Sequence, residues 1–265
     1  RQPASVWFPY RKMGQSAADV VLIDQGGRFG PFDGQLLVGD QTLASVMRVS
    51  TERVDGFLQG ACYPFLEALD CGVNRLAFAP DGSLFVGETD RGWASVGRRR
   101  HGLQRVAYRG TTPFAIQAME ATPDGFRLRF TDAVDPDSAA DPASYRLSSY
   151  TYEYHAAYGA PEDDSLALDV TAAKLLDAHT VALTVTPLRE GYVHELHAEG
   201  VRAADDPERG LLHGEAYYTL QRRPTAGADL GRAGGAVPAQ REPAGVAARR
   251  GAETASAAPA ATPAR

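Results

Sequence analysis

The sequence predicts an all-β chain on three observations. A strand is written twice in the first half, short alternating segments run between turn signals in the second, and the C-terminal stretch has no aromatic residue. Together they predict a partial β-propeller of two to three blades over residues 1–120, an immunoglobulin- or fibronectin-like β-sandwich over 121–224, and a disordered tail over 225–265.

The repeat carries the first part. FDGQLLVGD (32–40) returns as PDGSLFVGE (80–88); Asp33, Gly34, Leu36, Val38 and Gly39 fall on Asp81, Gly82, Leu84, Val86 and Gly87, 48 residues later. The period of two places Leu36 and Val38, and likewise Leu84 and Val86, on one face of a strand. Asp-Gly ahead of each strand is turn chemistry, because glycine takes positive φ without steric cost. VNRLAFA (73–79) supplies a strand before the second turn, and SVMRV (45–49) and GLQRVAY (102–108) supply one after each polar loop. Repeats of about 40 to 50 residues built from strands are the signature of propeller blades, which bury their faces on one another. Only two blades fit here, with part of a third over 4–24, whereas a closed ring uses about four to eight. The segment is therefore expected to be the last part of a longer propeller, its first blade left with an open face and edges.

From Ala121 the pattern changes to short strands between turns: FRLRF (126–130), YRLSSYTYEY (145–154), TVALTVTPL (180–188), YVHELHAEGV (192–201) and AYYTL (216–220). That spacing predicts a sandwich, packed on the last blade because no linker precedes it. Beyond Pro224 a chain of mainly Ala, Gly, Pro and Arg cannot bury enough apolar area to order itself.

Composition narrows the function. The net charge is −6, and the part before residue 225 carries −8, which disfavours nucleic acid as a partner. No 18-residue apolar run spans a membrane. Cys62 and Cys71 fit either one bridge between neighbouring strands or two buried free thiols.

The runs GGRFGPFDGQLLVGDQT, VDGFLQGACYPF, LAFAPDGSLFVGETDRGWASVG, FTDAVDPDSAADPASY, YVHELHAEGV and LLHGEAYYTL resemble the C-terminal part of large secreted bacterial proteins. Those carry a six-bladed propeller similar to glucose and sorbosone dehydrogenases, then an Ig-like domain, and in some members a c-type cytochrome module. The resemblance spans residues 4–224. It implies a periplasmic or extracellular location and quinone-dependent oxidation of a sugar or related alcohol by the full-length protein, with pyrroloquinoline quinone (PQQ) as cofactor. It also implies further N-terminal blades or a cytochrome as partners. No family catalytic motif maps onto a residue here, and no C-x-x-C-H haem-attachment motif occurs, so this segment alone is expected to be inactive. The alternative is a non-catalytic platform that binds a glycan or a protein at the cell surface; a third reading is hydrolysis of a sugar acid or lactone at a metal in the ring centre.

In a blade, the loop after the second strand shares a face with the connections between blades, where propellers bind ligands. Asp40, Gln41, Asp90, Arg91 and Trp93 are the candidates on those loops. A carboxylate, a guanidinium and an indole suit sugar or quinone recognition by charged hydrogen bonds and stacking; equally, Arg91 could pair with Asp90 and Trp93 could pack between blades. The basic tract Arg98–Gly102 reads as a solvated loop or an anion site. His194 and His197 point to opposite faces of a strand, so one metal ion cannot take both. Asp132, Asp135, Asp137 and Asp141 lack the glycine and terminal Glu of an EF-hand and read as turn caps. GGRFG (26–30) lacks the strand-to-helix setting of a phosphate loop.

Overall fold

A computed structural model describes residues 3–225; the predicted tail lies outside the described residues except for Thr225. The described chain is all-β apart from two single-turn helices. The repeat builds two antiparallel meanders. The first is β1 (Ala17–Leu22), β2 (Leu36–Asp40), β3 (Ser45–Val54) and β4 (Phe57–Leu66); the second is β5 (Val73–Phe78), β6 (Leu84–Thr89) and β7 (His101–Val106). The twice-written strand is β2 in one and β6 in the other, the second strand of each unit. The turn ahead of each uses its glycine alike, with φ of 85° at Gly34 and 84° at Gly82. Between β3 and β4 a third Asp-Gly closes a tight hairpin. Asp55 (φ 48°) and Gly56 (φ 83°) are both positive, as a type I′ turn requires, and Val54 is set opposite Phe57.

The two meanders stack in one direction. Leu37, on the odd-numbered face of β2, enters a core with Val73 and Leu76 of β5 and with Leu84 and Val86 of β6. Leu84 and Val86 are the counterparts of Leu36 and Val38, which lie on the other face of the first meander. One side of the first unit therefore covers the opposite side of the second. The matching outer side of the second unit, which carries Phe85, Gly87 and Leu103, is open, with Leu103 71% exposed. The repeat glycines register this difference. A Cβ on Gly39 would overlap Val73 Cγ1, whereas on Gly87 the nearest atom is Arg75 Cβ at 3.6 Å. Gly39→Ala is therefore expected to lower stability by about 1–3 kcal/mol through overpacking, and Gly87→Ala to stay within about 0.5 kcal/mol. Chemical denaturation of the two variants checks this, and equal losses would contradict the one-directional stacking.

The second half continues with β8 (Ile116–Thr122), β9 (Gly125–Phe130), helix α1 (Pro136–Ala140), a 3₁₀ turn (Pro142–Ser144), β10 (Arg146–Thr151) and β11 (Asp163–Asp177). Then come β12 (Thr180–Thr186), β13 (Tyr192–His197), the short pair β14 (Arg202–Ala203) and β15 (Asp206–Gly210), and β16 (Glu215–Leu220). Two layers face each other. One is β8, β9, β12 and the second half of β11; the other is the first half of β11 with β10, β13 and β16. The long β11 leaves one layer and joins the other between Leu168 and Asp169, making the corner of the sandwich. Phe126, Leu128, Val181 and Leu183 interlock with Leu147, Leu196, Tyr218 and Leu220 in the core between them.

The sandwich joins the first meander rather than the last. Strand β16 pairs with β4, Tyr217 opposite Cys62 and Thr219 opposite Gly60, so one sheet runs from the meander into the sandwich. Ala61 and Tyr63 of β4 sit in the sandwich core, and no residue of the second meander does among the described residues. The expected boundary at 120/121 falls inside β8, and Pro123-Asp124-Gly125 turns β8 into β9 within the sandwich. Cys62 and Cys71 are both free and buried, and burial raises the Cys62 thiol well above its ordinary pKa. Neither meander belongs to a closed ring among the described residues.

Candidate functional site

The connections β2–β3, β4–β5 and β6–β7 meet at one end of the two meanders. Val96 N–H donates to Thr42 O at 2.9 Å, Leu69 N–H to Ala44 O at 3.1 Å, and Arg99 N–H to Asp70 O at 2.9 Å. Gln41 Nε2 reaches Thr89 O at 3.4 Å and Trp93 O at 3.3 Å, and Trp93 Nε1 donates to Thr42 Oγ1 at 2.8 Å. Gln41 and Trp93 are thus brought together, although they come from different repeats.

The other candidates part from them. Asp40 is fully buried, and its carboxylate accepts from the amides of Gln15 and Ser16, each at 2.7 Å, and of Leu43 at 2.8 Å. It pins the N-terminal segment to the β2–β3 loop. Asp90 pairs with Arg100 at 3.4 Å and Arg91 is exposed; both border a shallow groove with Arg99 and His101. Arg99 pairs in turn with Asp70 at 3.5 Å. His101 is the one ring among the groove's lining residues, which include no Phe, Tyr or Trp. A planar tricarboxylate quinone such as PQQ needs stacking surface as well as cations, so these residues do not make a site for it by themselves.

An aromatic cleft of about 450 Å³ adjoins Trp93. One wall is the segment Val6, Trp7, Phe8 and Tyr10; the other is the β10–β11 loop with Tyr152, Tyr154, His155 and Tyr158. Trp93 stands edge-on to Tyr158 at 5.6 Å, Tyr158 edge-on to Tyr10 at 6.1 Å, and Trp7 packs on Tyr152 at 5.5 Å. The Tyr158 hydroxyl is fixed by Ser16 Oγ at 2.8 Å and by the Gln15 carbonyl. Gly159, at φ 74°, lets the loop lie on the Tyr10 ring, where a Cβ would meet Tyr10 Cζ at 2.6 Å. Three rings remain open to solvent: Trp93 is 46% exposed, Tyr158 58% and Tyr154 74%.

Beneath the cleft a charged node holds the two walls together. Lys12 Nζ donates to Glu162 and to the largely buried Glu195, each at 2.7 Å, and stands 5.0 Å from the centre of the Tyr150 ring. His197 Nε2 lies 2.8 Å from the other oxygen of Glu195. Burial works against the Lys12 ammonium, but Glu162 and Glu195 outweigh it and raise its pKa above the ordinary lysine value. Burial likewise opposes ionisation of Glu195, and Lys12 and His197 more than offset it, so its pKa is lowered. His194 faces the other way, edge-on to Phe126 at 5.2 Å in the sandwich core. Asp135 caps α1 through Ser138 N at 2.8 Å, Asp141 accepts from Ala143 N at 2.9 Å, and Asp132 pairs with Arg209 at 2.7 Å. Among the described residues no group of three or more His, Cys, Asp or Glu is placed to hold a metal ion, and no helix is long and apolar enough to cross a membrane.

The N-terminal segment and the β10–β11 loop are functional candidates that the motif reading passed over. Their signal was present as aromatic density: Trp7, Phe8 and Tyr10, then Tyr150, Tyr152, Tyr154 and Tyr158. No family model, no curated protein and no solved structure matches the chain.

Proposed function

We propose that this chain is a carbohydrate-recognition platform, with the aromatic cleft as its binding surface. The observation that carries this reading is the aromatic cleft, lined by the exposed Tyr154 and Tyr158, with the exposed Trp93 edge-on to Tyr158 beside it and Trp93 and Tyr158 each held by a hydrogen bond. Exposed rings normally bury themselves, since each carries a large apolar area. Rings held open beside hydroxyls and amides suit a ligand that has both C–H faces and hydroxyl groups, as a pyranose does. The cleft volume lies within the range of small-ligand sites, about 300–1,000 Å³. Native gel retardation by a panel of neutral polysaccharides tests it. Trp93→Ala and Tyr154→Ala are each expected to weaken binding by about tenfold, the effect of about 1.4 kcal/mol. Retardation by none of the panel, or equal retardation of the wild type and both variants, would overturn the reading.

The one-directional stacking of the meanders favours a second reading. A unit that covers the next with the same face can repeat, and the open side with Leu103 is where a further blade would sit, whereas the other side of the first meander, with Leu36 and Val38, is already covered by Met13, Tyr150 and Val193. On this reading the chain supplies the last blades of a dehydrogenase-like propeller in an exported protein. Residues 1–265 mixed with PQQ and a sugar panel are then expected to show no dye reduction, and robust turnover by this segment would contradict it.

A further inference from the structure

A second cavity, of about 240 Å³, lies where both meanders meet the sandwich. Its walls are largely apolar, with Phe29, Phe32, Phe65, Val106, Ile116 and Leu212 among them, yet Arg48 also lines it. Arg48 is only 2% exposed. Its guanidinium is clamped between Phe32 and Tyr63, 4.3 and 4.2 Å from their ring centres. It donates to the Gln35 side chain and to the carbonyls of Ile116 and Gln117. These three bonds engage three of the five N–H donors that a guanidinium has. No carboxylate forms an ion pair with it among the described residues, and burial pulls its pKa down to about 10. A buried charge without a counter-ion is costly, and proteins that keep one normally pair it.

The clamp is also rigid. The Tyr63 hydroxyl lies 2.7 Å from Ser50 Oγ and accepts from Met119 N–H at 2.7 Å, so the ring under the guanidinium cannot swing away. A cation fixed in an apolar cavity is the arrangement that recognises an anion attached to an apolar body. The volume falls below that of drug-sized sites, about 300 Å³ at the low end, which limits the body to a small one. Glu215 and His213 line the wall supplied by the approach to β16, so a negative head is favoured at the Arg48 end and disfavoured beside Glu215.

We propose that this cavity binds a small apolar carboxylic acid, such as a medium-chain or aryl-substituted acid, with Arg48 as its counter-ion. The site is separate from the aromatic cleft and does not depend on the carbohydrate reading. Isothermal titration of residues 1–265 with octanoate, phenylacetate and, as the uncharged control, octanol tests it. Octanoate and phenylacetate are expected to bind saturably at sub-millimolar concentration and octanol at least about tenfold more weakly, the margin of one charge-assisted pair. Arg48→Met is expected to erase the preference for acid over alcohol. Leu212→Trp, at an exposed lining position, narrows the cavity without touching the clamp and is expected to weaken both acids about fivefold or more. The wild-type comparison and Leu212→Trp decide the matter even where Arg48→Met fails to fold. No saturable binding of either acid below about 5 mM, weaker than any functional affinity expected of such a site, or octanol binding as tightly as octanoate, would overturn the proposal.

Discussion

Truncation of Gln59 to alanine is expected to remove about 1–3 kcal/mol of stability, the cost of leaving buried hydrogen-bonding groups unsatisfied. Gln59 is fully buried on β4, beside the seam with the sandwich. Its Nε2 donates to Tyr218 Oη at 2.8 Å and to Arg222 O at 3.1 Å, and its Oε1 accepts from the amides of Gln221 at 3.0 Å and Arg222 at 2.9 Å. Alanine leaves two backbone donors and a carbonyl without these partners, in a space that it does not fill. Glu52 stands next to this node, accepting from Ala121 N–H at 2.7 Å and from the Tyr218 hydroxyl. The consequence reaches beyond one residue, because this network and the β4–β16 pairing tie the first meander to the sandwich. Urea unfolding of the wild type is expected to follow one transition, whereas Gln59→Ala is expected to separate the loss of meander signal from that of the sandwich. A loss under about 1 kcal/mol, within the ordinary range of single substitutions, would mean that the seam carries little of the stability.

Acid is expected to destabilise the protein through His194. The ring is fully buried against Phe126, and Arg189 N–H approaches its Nε2 at 3.4 Å. Burial holds its pKa down to about 4, and the nearby Arg189 charge acts in the same direction. The unfolded chain takes up this proton near the ordinary histidine value of about 6.5, whereas the folded protein resists it until about pH 4. Between those values the unfolded state binds more protons, so stability falls as the pH is lowered. The contribution is fully present above about pH 6.5 and is lost progressively towards pH 4, by about 3 kcal/mol in all. His194→Gln keeps an acceptor for Arg189 N–H but cannot titrate. Its stability is expected to change less than the wild type's over that window, and parallel curves for the two proteins would remove His194 from the account.

Much of the fold was legible in local chemistry. Asp-Gly turns, period-two alternation and the 48-residue echo located β2, β3, β5, β6 and β7, because each signal depends only on neighbouring residues. The direction of stacking was not legible, because Val38 and Val86 are spelled alike but covered differently: Val86 by the first meander, Val38 by Met13, Tyr150 and their neighbours. Strand β11 escaped notice for a different reason. Only Leu168 of its residues is fully buried, and Ala-Ala-Lys-Leu-Leu at 172–176 offers no alternation to read.

The candidate site was legible in part. Gln41 and Trp93 could be paired from repeat logic, which puts equivalent loops at one end. Asp40 could not be separated from them, since its turn inward is decided by the Gln15 and Ser16 amides, about 25 residues away, which the N-terminal segment brings to it. The cleft depends on contacts of still longer range. Trp7 and Tyr152 are distant in sequence, and the run through Tyr154 reads as a continuing strand, whereas β10 stops at Thr151 and the chain leaves to form the cleft wall.

The chain has two tryptophans, and both belong to this region: Trp7 lines the cleft and Trp93 stands at its rim. Tryptophan emission therefore reports directly on whether the cleft takes a sugar. On titration of residues 1–265 with a panel of neutral hexasaccharides, at least one is expected to give a saturable change in emission, most of which Trp93→Phe removes. Emission that stays unmoved by every oligosaccharide up to about 10 mM, weaker than about 3 kcal/mol of binding, would contradict the carbohydrate-binding account.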